Sequence, residues 1–381
     1  MSEILVCRHH AEVLPFRDAW QRLAAEQAFS FPNFDELLIL VTSRLGDVLV
    51  LARKAEGELA TIACFFRLSG RKTYRAGERR LFSLPVREVQ LFGSSILGEV
   101  DRQVVAEMLE MVSAEFDFHV LTVGELELES PLYASLLALG GRFSIAELSR
   151  KRSVRWQIRL PADFETYLMS LGAKSRQNIR REMRQLDKQF ATRFQRISEE
   201  GEIDSFLAAA ESVSRKTYQW NVGQRVLNDE PTRHTLQARA GRGELRSYSL
   251  ALDGQPCAFM RGKLAAGIYD FETAGFDPAF GKSSPGAVLL MWAVRDLIES
   301  AQCKVFDFGP GGDDVGYKSR FGNTSSVCAG LQLGPRWKPY TLLLFALQSA
   351  LFMALNLADR LLGKGALRAR LKRASRKYGE R

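Results

Sequence analysis

Several residue types that build common enzyme centres are scarce in this chain. Its 381 residues include four histidines, two of which form the pair His9-His10 in a polar stretch near the start. The five cysteines are scattered, without a CxxC pair or a spacing typical of metal ligands. This composition argues against a zinc enzyme and against a histidine-based triad, and it predicts no metal cofactor.

The amino-terminal residues also lack the apolar segment of a signal peptide. Together with the scattered cysteines, this predicts a protein of the reducing cytoplasm. Acidic residues are scarce at the other end, because residues 359–381 hold nine Lys and Arg against Asp359 and Glu380. Most of the net charge of +9 lies in this tail, so the body is nearly neutral and is not predicted to bind nucleic acid.

A chain of this length favours two domains, and both halves read as mixed α/β (α+β). Hairpins are predicted at Lys54–Gly57 in the first half and at Asp253-Gly254 in the second. In the second half we expect these elements in order: helices over 163–190 and 202–219, a hairpin over 245–260, a strand over 267–274, a helix over 287–300 and a strand over 304–308. The predicted domains are 1–150 and 151–335, followed by an apolar helix and basic tail over 336–381.

Residues 305–322 form the most informative segment, with the sequence VFDFGPGGDDVGYKSRFG. An apolar strand leads into a turn whose glycines permit backbone angles that other residues resist. Ligands of α/β proteins bind where strands end at their carboxyl side. The segment brings Asp307, Tyr317 and Lys318 to such an opening, and we take these three as candidate site residues.

The loop from Phe280 to Ala287 immediately precedes a predicted helix. Free N–H groups at a helix start suit a pyrophosphate, Pro285 fits the first turn, and Gly286 allows close approach. The loop is not a P-loop, because Phe276 stands where that motif requires glycine. An ordinary helix cap is the alternative interpretation.

Two further sets of charged residues are candidates. Asp270 and Glu272 share one face of the strand over 267–274 and suit a general base of raised pKa, or they are solvated edge carboxylates. Arg176 and Arg180 begin a row on one helix face, separate from an apolar stripe. This row is either a wall for a phosphorylated acceptor or CoA, or a solvated face. Tyr269 joins Arg176 and Arg180 as a candidate substrate contact.

Residues 339–358 contain no charge and are mostly Leu, Ala and Phe. Their length is enough to span a bilayer, and the basic tail behind them would be attracted to anionic cytoplasmic lipids. Trp337 and Tyr340 stand where interface anchors do. The segment is expected to lie on a membrane surface, to span it, or to pack as a buried helix on the body.

The run over 276–290, followed by Asp307 and Tyr317-Lys318, resembles the acyltransferase domain of the GNAT superfamily. The resemblance is to its double-domain CelD-type branch, associated with cellulose biosynthesis and related to the Fem aminoacyl transferases. It implies two tandem GNAT-like domains with a mixed sheet flanked by helices. It also implies an acyl-CoA site, which departs from the usual pattern at Pro285 and consists of Gly281, Lys282, Ser283, Ser284, Pro285, Gly286 and Ala287.

In the same resemblance, Tyr317 protonates the departing thiolate and an acid such as Asp270 or Glu272 accepts a proton from the attacking group. Asp307 and Lys318 orient the acceptor or neutralise charge. The expected activity is transfer of an acyl group, with acetyl favoured, from CoA to a sugar or lipid-linked polysaccharide precursor, on the inner face of the cytoplasmic membrane. The alternatives are a Fem-like enzyme that uses aminoacyl-tRNA and a non-catalytic, membrane-tethered partner of a polysaccharide synthase.

Overall fold

Alternating apolar segments and turn residues produce a mixed α/β fold, as predicted. The computed structural model describes residues 3–27, 31–44, 46–76, 79–217, 220, 225–311 and 316–362. The chain divides into two compact units. The first contains the described residues up to Ser153 and those from Val327 onward, and the second contains Val154–Ser326. Residues 327–335, which the sequence assigned to the second domain, therefore belong to the first unit.

The first unit begins with a strand and three short helices and continues through a sheet. Its elements up to residue 147 are β1 Glu3–Cys7, α1 His10–Val13, α2 Arg17–Ala25, α3 Phe34–Ser43, β2 Val48–Ala55, β3 Glu58–Ala76, β4 Arg79–Leu91, β5 Leu97–Gly98, α4 Arg102–Glu115, β6 Val120–Glu127, α5 Pro131–Leu137 and β7 Phe143–Glu147. The second unit then supplies β8 Ser153–Arg159, α6 Phe164–Ser170, α7 Ala173–Gln189, β9 Thr192–Ile197, α8 Ile203–Ser214, α9 Glu230–Gly241, β10 Ser247–Leu252, β11 Gln255–Ala265, β12 Ile268–Phe276, α10 Pro285–Glu299, β13 Val305–Asp307 and α11 Tyr317–Phe321. The last described elements are β14 Thr324–Pro335 and α12 Pro339–Leu362.

The sheet of the first unit has the strand order β1-β2-β3-β4-β6-β14, and β7 also pairs with β14. Its pairs are antiparallel except for the parallel β4 and β6. The predicted β2–β3 hairpin is confirmed, with Glu56 and Gly57 at positive φ in its turn. Helices α4 and α5 cover one face of the sheet and enclose an apolar core around Met108, Leu121 and Leu331.

The sheet of the second unit has the order β8-β13-β12-β11-β10-β9, in which only β12 and β13 are parallel. The predicted hairpin is confirmed, since Asp253 and Gly254 take positive φ angles of 49° and 79°. One face packs against α6, α7 and α10 through residues such as Leu186 and Val294. Residues of α8 and α9 form a second core with Phe259.

The helix predicted over 163–190 is in fact two helices, α6 and α7. The chain is extended at Gly172, the residue that precedes α7. Arg176 donates from its guanidinium to the carbonyl oxygens of Met169 and Leu171, at 3.4 and 3.3 Å. These bonds satisfy carbonyl groups at the break. The apolar stripe predicted on this segment is present, because Ile179 and the residues one and two turns later are buried.

Candidate active site

The strands β12 and β13 run together for only three residues and then separate. Ile268 pairs with Val305, and the pairing ends where Asp270 meets Asp307. Beyond this point β12 continues to Phe276, whereas the segment that follows β13 turns away at Gly309, whose φ is +68°. In the described part of the chain, no strand pairs with the edge of residues 271–276 that faces β13. Backbone amide groups are therefore open to a ligand along this edge.

Helix α10 begins directly after the loop that the sequence assigns to a pyrophosphate. Ser284 precedes it in a left-handed conformation, with φ +51° and ψ +43°. The carbonyl oxygen of Ser284 accepts hydrogen bonds from the N–H groups of Ala287 and Val288, at 3.0 and 3.1 Å. A Cβ atom added to Gly286 would lie 3.2 Å from the ring of Phe276, so glycine keeps this corner open. Exposed Lys282 adds positive charge to that of the helix start, which favours an anion.

Tyr317 is the first residue of the short helix α11, and 49% of it is exposed. Its ring centroid lies 6.2 Å from that of Phe271 on β12 and 6.0 Å from that of Phe308, which follows β13. Tyr317 therefore stands beside both strands just beyond the point where they separate. Its position is compatible with the predicted role of general acid.

Two of the predicted site residues instead hold the glycine turn. The Lys318 ammonium donates to the carbonyl oxygens of Phe308 and Gly309, at 2.6 and 3.3 Å. Asp307 is buried, accepts the Gly309 N–H at 2.8 Å and forms an ion pair of 3.3 Å with Arg155. The Asp307 carboxylate therefore caps the glycine turn.

The two acids of β12 differ in their surroundings. Glu272 is the extra residue of a β-bulge and pairs with Arg239 at 2.6 Å and with Arg261 at 3.0 Å. Burial raises the pKa of Glu272, but the hydrogen bond and charge of Arg239, with Arg261 and Lys263, outweigh burial and set the pKa below its ordinary value. A carboxylate held in this way is a poor base. Asp270, which is half-buried, is the better candidate.

Tyr269 does not occupy a position from which it can touch a substrate. Its side chain is fully buried, and its ring lies 4.8 Å from that of Phe306 and 6.0 Å from that of Tyr248. Burial holds the pKa of the phenol well above its ordinary value. The prediction of a substrate contact is wrong for Tyr269, because its alternation on the strand directs it into the core.

The cationic row of α7 is largely engaged within its own unit. Arg176 bonds to backbone carbonyl groups, as described above, and Arg180 forms an ion pair with Glu165. Arg184 donates to the carbonyl oxygen of Arg180 at 3.1 Å. These contacts are typical of a solvated helix face and not of a phosphate-binding groove.

Sequence reasoning missed three arginines that form ion pairs with candidate acids of the site. Arg155 alternates with apolar residues on β8 and therefore resembles a solvent-facing position, although it is buried. Arg239 and Arg261 lie on different elements and meet at Glu272. An arginine residue carries no local signal of a partner that is distant in sequence, so the pattern could not identify them.

Comparisons with known proteins agree with this geometry. Residues 173–319 match the family model described as an acetyltransferase (GNAT) domain. The crystal structure of FemX superposes with a TM-score of 0.58 at 10% identity, covering 83% of this chain and 95% of FemX. The C-terminal domain of a putative lysylphosphatidylglycerol synthetase from Agrobacterium fabrum gives a TM-score of 0.53 at 13% identity, covering 88% and 95%. No protein with a curated description matches the sequence at a significant level.

Proposed function

We propose that this chain, whose residues 173–319 match the GNAT acetyltransferase domain and whose fold is the double GNAT fold of FemX, is an acyltransferase that uses acyl-CoA as its donor. The expected acyl group is acetyl. The proposed acceptor is an amine or hydroxyl of a sugar or of an envelope polysaccharide precursor. No metal takes part in this direct transfer.

The observation that carries the proposal is the separation of β12 from β13 beside the start of α10. The pantetheine arm of CoA contains amide groups, which can pair with the open edge of residues 271–276 as an added strand does. The pyrophosphate would lie at the start of α10, near Gly286 and Lys282. The thioester would then lie near Tyr317, at the point of separation.

The proposed reaction needs one base and one acid. The acceptor nitrogen or oxygen attacks the thioester carbonyl carbon, and Asp270 takes the proton that the acceptor loses. The carbon–sulfur bond breaks, and the Tyr317 hydroxyl donates a proton to the departing thiolate. The products are the acylated acceptor and free CoA. Asp307 and Lys318 act by fixing the turn that carries the chain from β13 towards Tyr317.

This function is tested by following free CoA with a thiol reagent while acetyl-CoA is mixed with a panel of amino sugars and sugar nucleotides. The background is low because all five cysteines are buried. We expect acceptor-dependent release of CoA that falls about 100-fold or more in Tyr317→Phe. Tyr340→Phe, in the first unit, is the matched control. Unchanged turnover in Tyr317→Phe would reject the role of this hydroxyl.

The FemX-like fold also fits a second candidate, transfer from aminoacyl-tRNA to a peptide. The two donors are distinguished by adding a peptide acceptor to the panel, replacing acetyl-CoA with aminoacyl-tRNA labelled in its amino acid, and following the label into the acceptor. Transfer from tRNA without transfer from any acyl-CoA would favour the second candidate. The bonds that already engage Arg176, Arg180 and Arg184 give little support to a tRNA surface on α7.

A further inference from the structure

Helix α12 packs on the face of the first-unit sheet that α4 and α5 leave open. Leu344 and Phe345 enter a small apolar cluster with Val86 and Val120. Thr341, one turn earlier, is fully buried and donates to the carbonyl oxygen of His119 at 3.1 Å. One side of this otherwise apolar helix is therefore committed to its own unit.

Polar bonds hold α12 in this position along its length. The Tyr74 hydroxyl donates to the Leu344 carbonyl oxygen at 3.0 Å. The Gln348 amide donates to the Glu147 carbonyl oxygen at 2.8 Å. Near the end of the helix, Arg150 forms an ion pair with Asp359. A helix that crossed a bilayer would lose these partners, so the docked helix lies on its unit and does not span.

The opposite side of α12, here called the outer face, is apolar and exposed. Over Pro339–Leu361 the helix has the length and composition of a membrane-crossing segment, with a mean hydropathy of 1.8. Nevertheless, only 17% of this apolar segment is buried within the protein. Met353, Leu357 and Leu361 are 71, 56 and 75% exposed, at a spacing that places them on one stripe. Unpartnered apolar surface of this extent marks an interaction site.

The charges around the outer face identify its partner. No charged residue occurs from Pro339 to Ala358, whereas nine Lys and Arg follow within residues 359–381. Trp337, which is 62% exposed, precedes the helix at the position of an interfacial aromatic anchor. A second copy of this chain also has a net charge of +9 and would therefore be repelled by the basic tail. Anionic headgroups would neutralise the tail, and acyl chains would cover the outer face.

We propose that the outer face of α12 lies in the plane of an anionic phospholipid bilayer while the helix remains docked on its unit. The basic tail then rests on the headgroups. This inference does not depend on the acyl donor or acceptor, so it can fail or hold without regard to the transfer reaction.

Flotation of the full chain with vesicles tests the proposal. Vesicles of phosphatidylcholine with phosphatidylglycerol should bind the protein at least tenfold more tightly than phosphatidylcholine alone. The double change Met353→Glu and Leu357→Glu should weaken binding at least tenfold. Ile39→Glu is the matched control, since Ile39 is a 67% exposed apolar residue of α3. All three substitutions are on exposed side chains, so thermal unfolding should be nearly unchanged.

A second measurement reports on the face itself. A polarity-sensitive fluorophore on Met353→Cys should shift to shorter wavelength when anionic vesicles are added, and the same label on Ile39→Cys should not. The five natural cysteines are buried and do not compete for the label. The proposal is overturned if the chain fails to bind anionic vesicles, if the double variant binds as wild type does, or if both labels respond alike. It is equally overturned if the wild type is a dimer that does not bind vesicles and the double variant is a monomer.

Discussion

At the scale of single residues, neighbouring groups of the same type have different chemistry because their partners differ. The sequence treats Asp270 and Glu272 as equivalent acids on one face of a strand. It could not reveal that Arg239 and Arg261 bind Glu272, because these residues come from separate elements. Tyr317 and Lys318 were identifiable from the glycine turn before them, whereas the burial of Tyr269 depended on packing.

The two acids provide the first prediction. Asp270→Asn should lower kcat about 100-fold or more, with CoA binding retained, because the acceptor proton loses its base. Glu272→Gln should change kcat by less than tenfold but should lower stability, because Arg239 and Arg261 lose a carboxylate. Steady-state kinetics on both variants, corrected for folded fraction, measures this. Equal losses of kcat would contradict the assignment of the base to Asp270.

Lys72, on β3, provides a prediction of pH dependence. Burial lowers its pKa to about 8, opposed by the charge of Glu88. Because the unfolded chain binds this proton more tightly than the folded one, Lys72 destabilises the fold most below pH 8. The penalty should disappear as the pH rises from about 8 towards 10.5, the ordinary lysine value.

The measurement is urea unfolding at pH 7.5 and at pH 9.5 for the wild type and for Lys72→Met. Wild type should gain stability relative to the variant as the pH rises. Other titrating groups are shared by both proteins and cancel in this difference. A constant difference between the two proteins at both pH values would contradict the lowered pKa.

At the scale of elements, local sequence predicted hairpins better than helix limits. The Asp253-Gly254 turn carries its own backbone preference, so its hairpin could be identified without any tertiary contact. The break at Gly172 interrupts a helical pattern that continues on both sides, and bonds from Arg176 complete it. The return of β14 to pair with β6 joins residues about two hundred positions apart, which no local pattern encodes.

The ion pair of Arg155 on β8 with Asp307 on β13 is a link between elements. Both side chains are almost fully buried. Asp307→Asn should therefore destabilise the protein by about 3–5 kcal/mol, because a buried arginine would lose its counter-charge. Glu165→Gln, which removes an exposed partner of Arg180, should cost about 1 kcal/mol or less. Denaturant unfolding compares the two, and equal costs would show that the buried pair does not secure the turn.

At the scale of the whole molecule, each compact unit has its own strands and apolar core, and the GNAT domain match lies within the second unit. The fold class and the GNAT domain over residues 173–319 could be predicted from the sequence because the motifs of the second unit are local. The assignment of residues 327–362 to the first unit could not be predicted, since it depends on where β14 and α12 pack.

The central claim is that the start of α10 binds the pyrophosphate of CoA, and Gly286→Asp tests it most directly. A carboxylate in the first turn of a helix favours the helix by about 0.3–1 kcal/mol, yet it would repel a pyrophosphate. The ring of Phe276, the nearest contact of the new Cβ, is exposed and can turn aside. Gln103→Asp, at the same position of α4, is the matched control.

The measurement is calorimetric titration of CoA into the three proteins. Wild type and Gln103→Asp should bind CoA equally, and Gly286→Asp should bind at least tenfold more weakly with an unchanged or raised Tm. If wild type binds no CoA at millimolar concentration, or if Gly286→Asp binds it as wild type does, the central claim is contradicted.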